Sequence, residues 1–384
     1  MILHGFFPTE VRVAAEVRAA VTSGFEVDVI ALRDEGQEPS GTAEGARYYR
    51  LPVNHVHGSG LGAVVKEYVG FTALATVKAA RLALRHRYDI VQVHNPPDFL
   101  AVAAAVPRTQ RARLVFDVHD LASDMFHMRF DGKPGSRLAE RVLRGMERLT
   151  ARASTVVLTV HEPYKRELVA RGVDDEKVVV IMNALDEAIM PPPLREDGGD
   201  GFVVSYHGTI TPHYGVPLIV EAAAQARETI PSLGVRIYGF GDSIDIVRAR
   251  AEELGIADRV WISPEPLSQR DVLRAVQTAS VGVVPNLPTK LNRYALSTKL
   301  LEYVALGVPV VCSDLPTLRE HFSDDEVLFF EAGDARALAD ALARTAADPE
   351  AARHRAAAAR RRYETYRWTA SAARYVEALR RCLR

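Results

Sequence analysis

The sequence predicts an α/β chain built from two open parallel sheets, each with helices on both faces. Three observations carry that expectation. Short β-branched runs alternate with longer Ala/Leu/Arg segments almost from end to end, and strand, helix, strand in repetition builds parallel sheets. The alternation breaks at Pro191-Pro192-Pro193 and at Arg195-Glu196-Asp197-Gly198-Gly199-Asp200-Gly201, a turn-forming stretch that reads as a linker. Finally, 384 residues suit two domains better than one, and each would be long enough to bury a full core.

In the first half the strand-like runs are Phe25 to Leu32, Ile90 to Val93, Leu114 to Val118, Thr155 to Val160 and Val178 to Ile181. Segments of helical period lie between them, such as Val11 to Thr22, Leu61 to His86 and Leu138 to Ala151. Beyond the linker the strands are Phe202 to Tyr206, Val235 to Tyr238, Val260 to Ile262, Val281 to Pro285, Val308 to Val311 and Val327 to Phe330. Val216 to Glu228, Ile244 to Leu254, Asp271 to Ala279 and Thr298 to Leu306 read as the helices between them. The tail from Ala351 to Arg384 is helical by composition and carries ten arginines. Its apolar stripe of Trp368, Ala372, Tyr375 and Leu379 suits a helix packed back on the N-terminal domain, with a membrane-surface helix as the alternative. Open parallel sheets bind ligands at the carboxyl ends of their strands, so a cleft between the domains is the expected site.

Composition narrows the classes. The 48 basic residues nearly cancel the 49 acidic ones, so charge gives no argument for a nucleic-acid partner. Two cysteines, Cys312 and Cys382, cannot build a disulfide framework or a cysteine zinc site, which points to a reducing cytoplasm. The N-terminus does not resemble a signal peptide, and no apolar run approaches the ~20 residues of a membrane-spanning helix. A soluble protein follows, with peripheral contact at the inner membrane face left open. No Asp-x-Asp motif and no zinc-type spacing occur, so no metal is expected. A Gly-x-Gly-x-x-Gly turn after the first strand is also missing, which argues against a nicotinamide dehydrogenase.

The most informative stretch is Tyr294-Ala295-Leu296-Ser297-Thr298-Lys299-Leu300-Leu301-Glu302-Tyr303, followed by Gly307-Val308-Pro309-Val310-Val311. Ser297 or Thr298 would cap a helix whose N-terminus suits a diphosphate, and Lys299 adds a full charge there. Glu302, one turn in, could take both hydroxyls of a ribose; a capped core helix with a solvated Glu302 reads equally well from spacing alone. His119 ends the strand Leu114 to Val118, where either a functional contact or a structural hydrogen bond near Asp117 or Asp120 is consistent with the sequence. His94 stands at the end of another strand, open to acceptor positioning or to structural use.

The stretch from Lys299 to Val311 resembles the C-terminal signature of the retaining glycosyltransferases of family four, the group-one family, with Glu302 in the ribose position. The resemblance runs through His94-Asn95-Pro96-Pro97-Asp98, Phe116-Asp117-Val118-His119-Asp120-Leu121, Ile181-Met182-Asn183 ahead of Asp186, His207-Gly208-Thr209 with Tyr214-Gly215, and Ile237-Tyr238-Gly239-Phe240-Gly241-Asp242. It implies two Rossmann-like domains in the GT-B arrangement. Residues 1–190 would form the acceptor-side domain, 191–201 the linker, 202–366 the nucleotide-sugar domain and 367–384 a crossover helix. The implied activity is metal-independent transfer of a hexosyl group from a nucleotide-sugar to a sugar, lipid-linked or small-molecule acceptor, with retention and without a cofactor. His119 would be catalytic through contact with the donor sugar. Glu302, Ser297, Thr298, Lys299, Arg293, Gly208, Thr209, Gly239 and Tyr294 would line the donor, and His94, Asn95 and Arg12 the acceptor side.

The departures from the pattern are specific. Many family members carry a Gly-Arg pair and a Lys-Gly pair where this chain has Gly208-Thr209 and Tyr214-Gly215, and the family's first glutamate falls at Tyr294. The branch with a Ser-Thr-Lys-Leu-Leu-Glu-Tyr helix resembles the chain better. Phosphate neutralisation would then fall to Arg293, Lys299, Arg12 and the helix N-terminus. With no carboxylate at Tyr294, a same-face displacement is expected, in which the leaving phosphate takes the acceptor proton. Two rivals stand beside this reading: a nucleotide-sugar epimerase of the same build, and a pseudo-glycosyltransferase without transfer activity.

Overall fold

The computed structural model describes residues 1–53, 60–130, 136–192 and 201–384. Most of the expected linker, residues 193–200, lies outside the described residues. The chain divides into two compact units: Met1–Asn183 together with Thr369–Arg384, and Ala184–Trp368.

Unit 1 holds one sheet of eight strands: β1 (Ile2–Leu3), β2 (Asp28–Leu32), β3 (Ser40–Ala43), β4 (Ala46–Leu51), β5 (Ile90–His94), β6 (Arg113–Val118), β7 (Val156–Thr159) and β8 (Val178–Val180). Their order is β3-β4-β2-β1-β5-β6-β7-β8, parallel throughout except for the β3–β4 hairpin. The central strands are Val/Ile/Leu-rich and buried along their length, as strands covered on both faces must be. The sequence reading passes over three of these strands. Ile2–Leu3 is too short to show a period, and β3 is too exposed to show an apolar face.

Unit 2 holds six parallel strands: β9 (Phe202–His207), β10 (Leu233–Tyr238), β11 (Val260–Ile262), β12 (Val281–Val284), β13 (Val310–Ser313) and β14 (Leu328–Phe330). Their order is β11-β10-β9-β12-β13-β14. In each sheet the chain winds outward one way and then the other. The switch lies between β1 and β5 in unit 1, and between β9 and β12 in unit 2. Such switch points open a crevice at the strands' carboxyl ends.

One boundary differs from expectation. Ala184–Met190 belongs to unit 2 rather than to the first domain, and the Tyr363 hydroxyl donates to the Leu185 carbonyl at 3.2 Å. The tail holds two helices, Pro349–Tyr363 and Trp368–Leu383. Trp368, Tyr375 and Leu379 are buried, and Tyr375 donates to Gln92 of β5 at 2.7 Å. The apolar stripe is therefore spent on the protein interior and does not form a membrane-facing surface.

Deleting residues 369–384 should destabilise unit 1 by several kcal/mol, since one buried aromatic alone is worth about 3–5 kcal/mol. Chemical denaturation of the truncated chain checks this, and an unchanged midpoint would contradict it.

Candidate functional site

The switch-point crevice of unit 2 is shaped by glycines. Gly208 follows β9 in the left-handed region, at φ 97°; a Cβ there would meet the Lys299 Cε at 2.6 Å. A Cβ on Gly239 would stand 1.9 Å from the Gly208 carbonyl oxygen. The strand-end turns therefore stack backbone on backbone, with the Gly208 amide donating to Tyr238 and the Ile210 amide to Phe240, both at 2.9 Å. Gly215, at φ 64°, leads into the helix Val216–Ala226, and a Cβ there would overlap the Pro285 carbonyl. Side chains are excluded from this rim because backbone must approach backbone.

The helix Thr298–Leu306 is held on the sheet by Tyr303. Gly282 of β12 has no Cβ, and one would lie 2.5 Å from the Tyr303 ring; the Tyr303 hydroxyl donates to the Ser205 carbonyl at 2.8 Å. Gly307, at φ 74°, terminates the helix. This anchorage sets Lys299 and Glu302 at the end of β9. Glu302 Oε2 pairs with His207 Nε2 at 2.5 Å, and its Oε1 accepts from Gln269 at 3.1 Å. Burial would push the carboxyl up, but His207 and Gln269 outweigh it and hold Glu302 below its ordinary range.

Lys299 is also buried, and burial pulls its ammonium down to about 8 against the opposing charge of Glu302. The described residues give it no hydrogen-bonded carboxylate; its Nζ lies 4.1 Å from the Tyr214 ring centre. Tyr214 stands where family members carry their lysine, so a cation occupies that neighbourhood by a different route. Ser297 occupies the N-cap without a capping side-chain bond, contrary to the expected hydroxyl cap. Thr298, Thr209 and Arg293 are exposed, and Tyr294 is half-buried.

In unit 1 the register does the positioning. Leu3 pairs with His94, and His94 with Asp117. His94 Nδ1 and His119 Nε2 lie 3.0 and 2.9 Å from Asp117 Oδ2, and 3.1 Å from each other. Asn95 brackets the turn by accepting from the His119 amide at 2.8 Å and donating to the Asp120 carbonyl at 2.8 Å. Burial works against the charge on His119, but the Asp117 carboxylate prevails and raises its pKa. His94 is pulled down to about 4 by burial, so it is neutral at pH 7.

Arg12 is a correction. The sequence reading makes it a free cation for phosphate or acceptor, but it is buried in an ion pair. Nη2 donates to Asp117 Oδ1 at 2.9 Å, Nε to Oδ2 at 3.2 Å and Nη1 to the Ile181 carbonyl at 2.8 Å. Metal spacing is a second correction. His94, Asp117 and His119 bring three ligand atoms within 4.8 Å of one another, although their sequence spacing does not suggest it. Arg12 already neutralises Asp117, and its Nε addresses the same oxygen that would face an ion. The set therefore fits proton sharing better than a metal.

His207, Gln269 and Asp117 are the functional neighbours that sequence reasoning leaves without a role. His207 is adjacent to the Gly208 motif and could have been found there. Gln269, 33 positions before Glu302, has no local signal.

Residues 9–184 match the family model described as a glycosyl transferase 4-like domain, and residues 191–362 match glycosyl transferases group 1. The chain is 26% identical to D-inositol 3-phosphate glycosyltransferase of Kineococcus radiotolerans, covering 94% of this chain and 87% of that protein. It is 23% identical to chitobiosyldiphosphodolichol beta-mannosyltransferase of Kluyveromyces lactis over 60% of this chain, and spans 58% of that protein's length. Among solved structures, Anabaena HepE in complex with UDP-glucose superposes with a TM-score of 0.74 at 14% identity, over 99% of this chain and 98% of that one.

A diphosphate anion held by Lys299 should bind more weakly as pH rises through about 8, where the ammonium loses its proton. Calorimetric titration with a nucleoside diphosphate on both sides of that pH checks this. Lys299→Met should bind weakly throughout and lose that pH step.

Proposed function

Because the chain belongs to the group 1 glycosyltransferases, with a glycosyl transferase 4-like domain ahead of the group 1 domain, we propose that it transfers a hexosyl group from a nucleotide-sugar to an acceptor with retention of configuration. The observation that carries this reading is the pairing of Lys299 and Glu302 on one glycine-rimmed helix start. Glu302 remains ionised and offers acceptor oxygens to a ribose, while Lys299 and exposed Arg293 meet the diphosphate beside the helix N-terminus. Departure of the nucleoside diphosphate is then stabilised by fixed charge, the largest contribution that such a site can make. His119, partly exposed beside Asp117, is assigned to the transferred sugar, and His94 and Asn95 to the acceptor side. With Tyr294 in place of a carboxylate, the acceptor proton goes to the leaving phosphate on the same face.

A buried Lys299 against the Tyr214 ring keeps a cation at this helix start, which weighs against the pseudo-glycosyltransferase reading. An epimerase would turn over donor without any acceptor, and product analysis separates the two. Cations supplied by the chain itself support activity without a divalent metal, and turnover should persist in chelator. A lipid-linked acceptor at a membrane surface is supported by the diphosphodolichol in one relative's name. It is also supported by Val65, Val69, Leu74 and Val77, exposed on the helix Leu61–Ala83 beside Lys66 and Arg81. No helix among the described residues is long and apolar enough to cross a membrane.

Glu302→Gln replaces an acceptor with a donor, and a charge-assisted bond is worth about 1.5–3 kcal/mol. Nucleoside diphosphate affinity should therefore fall about ten- to a hundredfold. His119→Ala should instead lower turnover and leave that affinity nearly intact. Equal affinity losses in both variants would misplace the donor. For the membrane surface, Val65→Asp with Val69→Asp should reduce flotation with anionic vesicles; undiminished flotation would remove this helix from the contact.

A further inference from the structure

The buried polar groups of unit 1 form one continuous relay. At its far end the Tyr375 hydroxyl, on the helix Trp368–Leu383, donates to Gln92 Oε1 at 2.7 Å. The Gln92 amide donates to Glu16 Oε2 at 2.7 Å. Glu16 Oε1 stands 3.1 Å from Arg12 Nε as an ion pair, without the alignment of a hydrogen bond. Arg12 then grips Asp117 through two nitrogens, and Asp117 Oδ2 meets His119 Nε2 at 2.9 Å. Tyr375, Gln92, Glu16, Arg12 and Asp117 are all buried; only His119 reaches solvent.

The geometry makes one oxygen the control point. Asp117 Oδ2 is approached by His94, His119 and Arg12 Nε at 3.0, 2.9 and 3.2 Å. That same Nε is divided between Asp117 at 3.2 Å and Glu16 at 3.1 Å. Where Glu16 sits thus decides how much of Oδ2 is left for His119, and Gln92 and Tyr375 decide where Glu16 sits. An apolar filling of this space would be easier to bury than a glutamate whose carboxyl is driven up to about 8 by burial and Asp117.

We propose that Tyr375 and Gln92 are positioning residues, which fix Glu16 against Arg12 and so set the hydrogen bond and ring orientation of His119. The inference rests on the assignment of His119 to the transferred sugar. It extends the catalytic machinery to a helix supplied by residues 369–384.

The test is Tyr375→Phe, which removes one hydroxyl and keeps the ring, with Glu16→Gln as an independent break in the same relay should the first variant fold poorly. Each should lower kcat about fivefold, the size of one ordinary hydrogen bond, and leave donor KM and nucleoside diphosphate affinity unchanged. Each should also shift the ring-nitrogen NMR signals of His119, identified by their loss in His119→Asn. Unmoved ring signals in both variants would overturn the proposal, whether or not stability falls. Full activity in His119→Ala together with moved ring signals in Tyr375→Phe would leave the relay standing and defeat the catalytic assignment.

Discussion

A carboxylate in the middle of a sheet is the constraint around which unit 1 is arranged. Asp117 is fully buried on β6, where an ionised group without a partner would cost far more than the net stability of a domain. Arg12 meets that demand, and meeting it fixes where the helix Val11–Thr22 enters the fold. The same guanidinium reaches the Ile181 carbonyl beyond β8, tying the first helix to the last strand. Asp117 sits well below the ordinary carboxylate range; burial alone would raise it, and Arg12 and His119 reverse the sign. Ion pairs of this kind rarely add net stability, but removing one partner strands the other charge.

Unit 2 meets a different requirement, that of close approach at the ends of its strands. It does so by omission. Glycines at positions 208, 239 and 215 clear the strand ends, and Gly282 lets Tyr303 lie flat on the sheet. Among the described residues Lys299 is then held against tyrosine rings without a hydrogen-bonded carboxylate, unlike Arg12 in unit 1, which is paired with Asp117. One buried cation is paired with a carboxylate, and the other lies against aromatic rings. Their local sequences do not distinguish them.

That contrast also explains what could be read beforehand. The buried strands and the helix Thr298–Leu306 announce themselves because their signals are local: β-branched runs, a cap position, a terminal glycine. Glu302, Lys299 and His119 stand out because each lies in a contiguous motif. The role of Arg12 is not local, because its partner lies 105 positions away and becomes visible only through strand register. The meeting of His94, Asp117 and His119 has the same origin, while the bond from Gln269 to Glu302 joins two helices 33 positions apart. The short β1 and the exposed β3 escaped because neither displays enough apolar residues to show a period.

The division of the chain has a consequence for biosynthesis. Unit 1 is discontinuous, beginning at Met1 and including Thr369–Arg384, whereas unit 2 is one uninterrupted stretch. Domains generally fold in the order in which they leave the ribosome, but here that order is inverted in part. All of unit 2 has been synthesised before Tyr375 exists to meet Gln92, so the unit that starts first is the last to be completed. Until then the apolar surface that receives Tyr375 and Leu379 of the final helix has nothing to cover it on the nascent chain.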